Sequence, residues 1–170
     1  MKKVVFEIII IFIGTVLISG CISQTGSKTY NANGITFTYP ADGVVNGTNN
    51  IYSGFIMIAN VGNSTKEKFA YFKVSKATIT STVTLQGTYN AIINSIKQNS
   101  SNIGIREENF IVDGIKAHLI EFNSNNSTMN SKNEYTLFKK NGNIYLTQYT
   151  ESPYNAYDDG LSILNTLHVK

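Results

Sequence analysis

The chain contains one cysteine, Cys21, and the residues around it indicate a chemical use for its thiol. Residues 4–18 follow two lysines and are apolar except for Glu7, Gly14 and Thr15, and the small residues Ser19 and Gly20 stand directly before the cysteine. A basic start, an apolar core and small residues before a cleavage point are the features of a secretory signal. Cleavage before Cys21 would place the thiol at the new N-terminus, where it could carry a lipid.

The four residues from Ile18 to Cys21 resemble the lipobox of prokaryotic lipoproteins. We therefore expect residues 1–20 to be a signal peptide, Cys21 to be the lipid attachment point and residues 21–29 to form a flexible tether. An uncleaved N-terminal helix remains an alternative anchor, although about twenty apolar residues are needed to span a bilayer. An ordinary buried cysteine in a signal helix is the other alternative. Either anchor places the domain on the outer face of the cytoplasmic membrane.

Five asparagines begin Asn-x-Ser/Thr triplets, which can accept N-linked glycans in exported proteins. All five fall in segments that the sequence predicts as loops, where a glycan would be tolerated. Because the chain contains 21 Asn, such triplets also arise by chance, so the sites are candidates only. The candidate glycosylation sites are Asn46, Asn63, Asn99, Asn125 and Asn126.

The remaining reactive side chains form no recognisable catalytic or metal-binding pattern. His118 and His168 are the only histidines, and His118 is expected to be an ordinary half-exposed strand residue. The acidic pairs Glu107-Glu108 and Asp158-Asp159 lack the spacing of a calcium loop. A single cysteine excludes a Cys-based zinc site. We therefore expect no enzymatic activity, no bound metal and no cofactor.

The charge of the chain argues against nucleic acid as a partner. Charged residues make up 15% of the sequence, whereas about 25% is usual for a soluble domain. The net charge is +3, there is one arginine, Arg106, and the longest basic cluster is the pair Lys139-Lys140. Nucleic-acid binding requires clustered Lys and Arg side chains. The expected partners are the membrane and either a protein or an envelope polymer.

Tyrosines near the C-terminus form a candidate binding surface. Exposed tyrosines are common at interfaces, because the ring is apolar and the hydroxyl can form hydrogen bonds. The alternative is that these rings pack between a sheet and a helix. The four residues are Tyr145, Tyr149, Tyr154 and Tyr157.

Hydrophobic periodicity predicts the elements of the first half of the domain. Apolar or alternating runs predict a strand at residues 35–39, one central strand or two short ones at residues 51–59, and a strand at residues 69–75. Pro40 should end the first strand, because it cannot donate to a ladder. Residues 60–68 read as a loop. An apolar stripe from Leu85 to Ile96 predicts a helix with Thr84 as its N-cap.

The second half predicts two hairpins and a second helix. Asp113-Gly114 and Asn141-Gly142 lie between alternating arms, and both dipeptides favour two-residue hairpin turns. A polar loop over residues 123–133 should join the hairpins. Ser152-Pro153 is typical of a helix start, and residues 167–169 could add a short strand. The total is six to eight mostly antiparallel strands with two helices, an α+β fold.

The order of these elements resembles the PsbP-like family, in the form found on prokaryotic surface lipoproteins. The family usually has a Trp soon after the Tyr-Pro of its first strand, where this chain has Gly43 and no Trp at all. The similar stretches span residues 30–170, which we expect to form a single domain. They are YNANGITFTYPAD, TLQGTYNAIINSIKQ, FIVDGIKAHLIEF, YTLFKKNGNIYLTQYTES and YNAYDDGLSILNTLHVK.

The resemblance implies an antiparallel β-sheet with helices packed on its faces, in an α/β/α sandwich. It implies no enzymatic activity and offers no catalytic residues to transfer, since members are mainly binding or assembly proteins. The expected function is a membrane-anchored extracytoplasmic lipoprotein that acts as a non-enzymatic binding or assembly module. The alternative is an exported hydrolase or small-ligand carrier whose pocket the sequence does not reveal.

Overall fold

The computed structural model describes residues 26–48, 50–52, 54–64, 68–125, 130–153 and 160–170. Within these ranges the helices are α1 (Leu85–Gln98) and α2 (Gly160–Asn165). The strands are β1 (Ser27–Ala32), β2 (Ile35–Pro40), β3 (Val44–Val45), β4 (Ile51–Tyr52), β5 (Phe55–Ser64), β6 (Phe69–Thr78), β7 (Asn102–Val112), β8 (Ile115–Asn125), β9 (Asn130–Lys140), β10 (Asn143–Ser152) and β11 (His168–Val169).

The strands form two antiparallel sheets, which confirms the predicted α+β fold with an antiparallel sheet. The large sheet has the order β3-β5-β6-β10-β9-β8-β7, with β4 also paired to β5. The small sheet has the order β1-β2-β11 and was not predicted as a separate layer. Its first strand begins at Ser27, inside the segment predicted as a tether, so the folded domain starts earlier than residue 30.

The main core lies between the two sheets and is centred on Phe37. The Phe37 ring is fully buried, and its centroid lies 5.0 Å from that of Tyr30 and 5.2 Å from that of Phe72. Ile163 and Leu164 of α2 are buried in the same cluster. Strands β1, β2 and β11 therefore cover one face of the large sheet together with α2.

Helix α1 packs on the opposite face of the large sheet and begins as predicted. The Thr84 side chain accepts a hydrogen bond from the Gly87 N–H at 3.1 Å, which satisfies one of the donors left free at a helix start. Ile93 and Ile96 are buried against Ile120 and Phe122 of β8. The large sheet is thus covered on both faces, by different kinds of layer.

Both predicted hairpin turns are confirmed. Asp113 and Gly114 have φ values of 51° and 74°, and Asn141 and Gly142 have φ values of 49° and 73°. Asn and Asp tolerate this left-handed conformation better than most residues, and glycine adopts it freely. Each dipeptide therefore fixes the register of the hairpin that it closes.

Three predicted boundaries were wrong. Strand β5 continues to Ser64, so most of the loop predicted at residues 60–68 belongs to it. Strand β8 extends to Asn125 and strand β9 begins at Asn130, so the loop predicted at residues 123–133 is shorter than expected. Ser152 is the last residue of β10 and its hydroxyl donates to the Asn130 carbonyl at 2.7 Å, so it does not cap a helix.

The Asp113 carboxylate joins the C-terminal strand to the large sheet. It accepts the backbone N–H of Val169 at 2.9 Å, contacts His168 Nδ1 at 2.7 Å and pairs with Lys140. Burial raises the pKa of Asp113, but the bonds from Lys140, Val169 and His168 outweigh this effect and lower it to about 2. The ionised carboxylate is therefore the stable form in the folded protein.

Replacing Phe37 with Ala should destabilise the fold by about 3–5 kcal/mol, because a fully buried ring would leave a cavity between the sheets. Phe69→Ala is the matched control, since the Phe69 ring is only half-buried and stacks on Tyr71. That control should cost about 1 kcal/mol. Urea unfolding measures both. Equal losses for the two variants would contradict the central role of Phe37.

Asp113→Asn should lower stability at neutral pH by about 1–3 kcal/mol, because a charged acceptor is lost while Lys140 remains partly buried. The folded pKa of about 2 lies below the unfolded value of about 3.9. The Asp113 contribution is therefore fully present above about pH 4 and is lost as the pH falls through about 2. The variant should show a flatter stability profile across this window in acid-unfolding experiments. Asn tolerates the φ of 51° at this position, so the substitution should not strain the turn. If the variant and the wild type lose stability equally between about pH 4 and about pH 2, the Asp113 carboxylate is not the cause of that loss.

Candidate functional site

The predicted tyrosine surface is wrong for the two tyrosines that the structure describes. Tyr145 and Tyr149 are both buried in the core between the sheets, and the Tyr145 ring stacks on Phe138 at 5.3 Å. Burial raises the pKa of the Tyr145 hydroxyl, with Lys140 acting weakly in the opposite direction. The reason is that β10 is a central strand with both faces covered. Tyr154 and Tyr157 lie outside the described residues.

His118 is half-buried, as predicted, and contributes to a structural contact. Its ring lies 4.5 Å from that of Tyr89 on α1. The Tyr89 hydroxyl donates to Glu107, which also accepts Lys97 Nζ at 2.7 Å. Desolvation and the bond to Glu107 raise the pKa of Tyr89 to about 12. This cluster attaches α1 to β7 and β8, while the other acidic pair, Asp158-Asp159, lies outside the described residues.

Two buried carboxylates were missed in the sequence analysis. Glu151 is fully buried and accepts the Tyr149 hydroxyl at 3.2 Å, and Glu134 pairs with Lys132 Nζ at 2.9 Å. Gly160 lies so close to Glu134 and Tyr149 that a side chain at this position would collide with them. No periodic signal in the sequence marks these glutamates, because their burial on β9 and β10 depends on packing from distant segments, such as that of Gly160 of α2 beside Glu134.

A metal site is not formed by the residues that the structure describes. No group of three or more His, Cys, Asp or Glu side chains there could hold an ion. Across the same residues, no helix combines the length and the apolar character required to cross a bilayer. Cys21 lies outside them, so its lipid attachment stays a prediction.

The candidate glycosylation sites differ in their accessibility. Asn46, Asn99 and Asn125 are exposed. Asn63 is only half-exposed and lies within β5 rather than in a loop, and its Nδ2 donates to Asp42 Oδ2 at 2.5 Å. Asn125 is the last residue of β8 rather than a loop residue. Asn126 lies outside the described residues, and attachment at any of the five sites remains a prediction.

The best candidate site is a trough on the face of the large sheet that carries α1. Val44 on β3, Gly62 on β5 and Tyr71 on β6 are direct partners across three adjacent strands. Direct partners point to the same face of a sheet. Because Gly62 has no side chain, the middle position of this row is open, and the Asn46 Nδ2 atom lies 3.4 Å from where a Cβ atom would be. The result is a cleft of about 280 Å³ with Gly62 as its floor.

The walls of the trough combine aromatic rings with amide groups. On one side the Phe69 and Tyr71 rings stack at 5.4 Å, and Lys73 Nζ lies 4.5 Å from the centre of the Tyr71 ring. On the other side the Asn46 backbone N–H donates to the Asn60 carbonyl at 2.8 Å, which extends β3 and brings the Asn46 side chain to the rim. The residues that line the trough are Asn46, Asn60, Gly62, Asn63, Ser64, Phe69, Ala70 and Tyr71.

The chemistry of the trough suits hydrogen bonding rather than proton transfer. None of its lining residues is an Asp, Glu, His or Cys. The side-chain oxygen of Asn60 is buried and has no hydrogen-bond partner. An unpaired buried acceptor costs about 1–3 kcal/mol, so rotation of this amide toward a bound donor would be favourable. The trough therefore offers hydrogen-bonding groups to a polar ligand.

The fold and this trough describe a small sheet-based domain with an open surface cleft. The chain matches the model of the PsbP-like protein family over residues 5–165. The chain therefore belongs to the PsbP-like family.

Solved structures agree with this assignment at the level of the fold. The cyanobacterial PsbP, CyanoP, from Synechocystis sp. PCC 6803 is 14% identical, with a TM-score of 0.56, and the match covers 90% of this chain and 99% of that one. A protein from Bacteroides thetaiotaomicron VPI-5482 is 11% identical, with a TM-score of 0.53, over 86% of this chain and 49% of that one. No curated protein sequence matches this chain.

Proposed function

We propose that this protein is a lipid-anchored, non-enzymatic binding module on the outer face of the cytoplasmic membrane. The observation that carries the proposal is the trough, an open cleft on a rigid sheet with polar groups at its walls. The sequence around Cys21 supports the location, and the PsbP-like fold is compatible with a binding role.

Binding is favoured over catalysis because the most buried acidic groups in the described part of the chain lie away from the trough, and Asp42 meets its wall as the acceptor of the Asn63 side-chain amide. Glu134 is buried beside Gly160 of α2, Glu151 is fully buried on β10, and Asp113 holds the C-terminal strand. The His168 ring contacts that same Asp113 carboxylate, which gives the pair a structural role. None of these residues lines the trough.

The size of the trough limits what it can accept. Ligand pockets for whole small molecules usually measure about 300–1,000 Å³, and this cleft measures about 280 Å³. It therefore suits one side chain or one unit of a larger partner better than an enclosed molecule. A segment of a protein or an envelope polymer that offers hydrogen-bond donors and acceptors fits these walls.

The anchor predicts the intact mass of the native protein. Mass spectrometry of the membrane fraction should give a chain that lacks residues 1–20 and carries lipid on Cys21. Cys21→Ser should abolish the lipid, because only the thiol at this position can accept it. A wild-type chain that begins at Met1 with a free thiol would contradict the proposed anchor.

Filling the trough should weaken partner binding. In Gly62→Val the new side chain would occupy the floor, where its Cβ atom would lie only 3.2 Å from Tyr71 Cβ. This overpacking should cost about 1–3 kcal/mol of stability, so thermal unfolding must first show that the variant is folded. The amount of partner that co-purifies after mild solubilisation should then fall at least about tenfold, the equivalent of about 1.4 kcal/mol.

Gly47→Val is the control for this experiment. Gly47 has open space around its Cα and does not line the trough. It should retain the partner at wild-type levels. Equal retention by the Gly62 and Gly47 variants would show that the partner does not use the trough.

A further inference from the structure

One edge of the large sheet is strongly apolar and exposed. Val44 on β3 is 61% exposed and Ile51 on β4 is 73% exposed, and Val45 and Ile56 are exposed beside them. Strands β3 and β4 both pair with β5 on their inner side and with no other described strand. We call Val44, Val45, Ile51 and Ile56 the apolar edge.

The apolar edge also lacks charge, unlike the opposite edge of the sheet. Residues 43–65 contain no Asp, Glu, Lys, Arg or His. At the other edge, β7 carries Arg106, Glu107 and Glu108. Charges on an edge strand discourage unwanted pairing with other chains. An uncharged, apolar edge therefore needs a surface to cover it in the native setting.

The N-terminal tether leaves the domain beside this edge. The Gly26 carbonyl accepts the Ala41 N–H at 2.9 Å, and only two residues separate Ala41 from the start of β3. Five residues, 22–26, follow Cys21 up to this point. A fully extended chain of that length spans about 18 Å at most. A lipid on Cys21 would therefore hold Gly26 within about 18 Å of the membrane surface, and the apolar edge begins at Val44, three positions after the backbone partner of Gly26.

We propose that the apolar edge lies against the lipid bilayer that carries the anchor, with its aliphatic side chains in the interfacial region. The proposal rests on the proposed lipid attachment at Cys21. Exposed apolar side chains gain from leaving water, whereas charged side chains would oppose contact with lipid. The unpaired backbone groups of β3 and β4 still need hydrogen bonds, which excludes the hydrocarbon core but not the hydrated headgroup layer. The bilayer is the occupant because the short tether brings this edge to it.

Fluorescent labels on single introduced cysteines test the contact in the full chain. Val44→Cys and Ile51→Cys place the label on the apolar edge, and Ile111→Cys is the matched control. Ile111 is 56% exposed and lies on β7 at the other edge. The protein is produced in a host that lipidates such chains and is reconstituted into vesicles of phosphatidylcholine and phosphatidylglycerol. The label is the polarity-sensitive NBD group, and the quencher is a doxyl-labelled phospholipid.

The labels at positions 44 and 51 should emit at shorter wavelength and be quenched at least about twofold by the doxyl lipid, as side chains at a membrane interface are. The label at position 111 should behave as it does in water. Labels at 44 and 51 that match position 111 would overturn the proposal while the anchor stands. Protection from water without lipid quenching, together with cross-linking between copies, would also overturn it and identify a dimer interface.

Wild-type protein shows whether the anchor itself has failed. Its only thiol is Cys21, which a lipid would block. NBD labelling of the wild-type chain, together with loss of the chain from washed vesicles, would reject the proposed anchor. If the wild-type chain takes no label and stays on the vesicles, the anchor is present. Labels at positions 44 and 51 that are not quenched would then reject only the membrane contact.

Discussion

The face-to-face packing of the two sheets around Phe37 is the interaction on which the rest of the structure depends. The small sheet joins residues from both ends of the domain, because β1 and β2 come first and β11 comes last. Phe37 contacts rings from both sheets, so its burial holds these distant segments on one face of the large sheet. Asp113 then fixes the end of β11 through the Val169 N–H and Lys140. Burial of apolar side chains supplies most of the free energy that holds the small sheet on the large one. The hydrogen bond from the Val169 N–H to Asp113 determines where β11 lies.

This arrangement leaves the other face of the large sheet only partly covered, and that is where the trough lies. Helix α1 packs over β7, β8 and β9. A chain of hydrogen bonds continues across the same face from Thr150 through Asn133 and Ser124 to Asn102, whose Nδ2 donates to the Ile96 carbonyl at 3.0 Å. These hydrogen bonds satisfy the polar groups of the buried side chains on this face. Beyond it, Gly62 and Tyr71 remain open to a partner.

The sequence predicted the elements whose signals are local and missed the features that depend on distant packing. Asp113-Gly114 and Asn141-Gly142 determine their turns through backbone conformation alone, and the stripe of α1 is complete within one segment. Strand β1 was missed because Tyr30 is its only buried residue. Tyr145 and Tyr149 were placed on a surface because their burial comes from other strands. The trough depends on the register of three strands at Gly62, and a single glycine in a polar run gives no sign of it.

Membrane contact would decide which ligands can reach the trough. Val44 belongs both to the apolar edge and to the row of residues that crosses the trough, and Asn46 lies at its rim two residues further on. If that edge rests on the bilayer, one end of the trough opens at the headgroup layer, so a partner must approach along the membrane surface. A partner that is itself anchored nearby then benefits from a high effective concentration, which raises apparent affinity without new contacts. An open cleft of about 280 Å³ that contacts only one unit of the partner is sufficient under that condition.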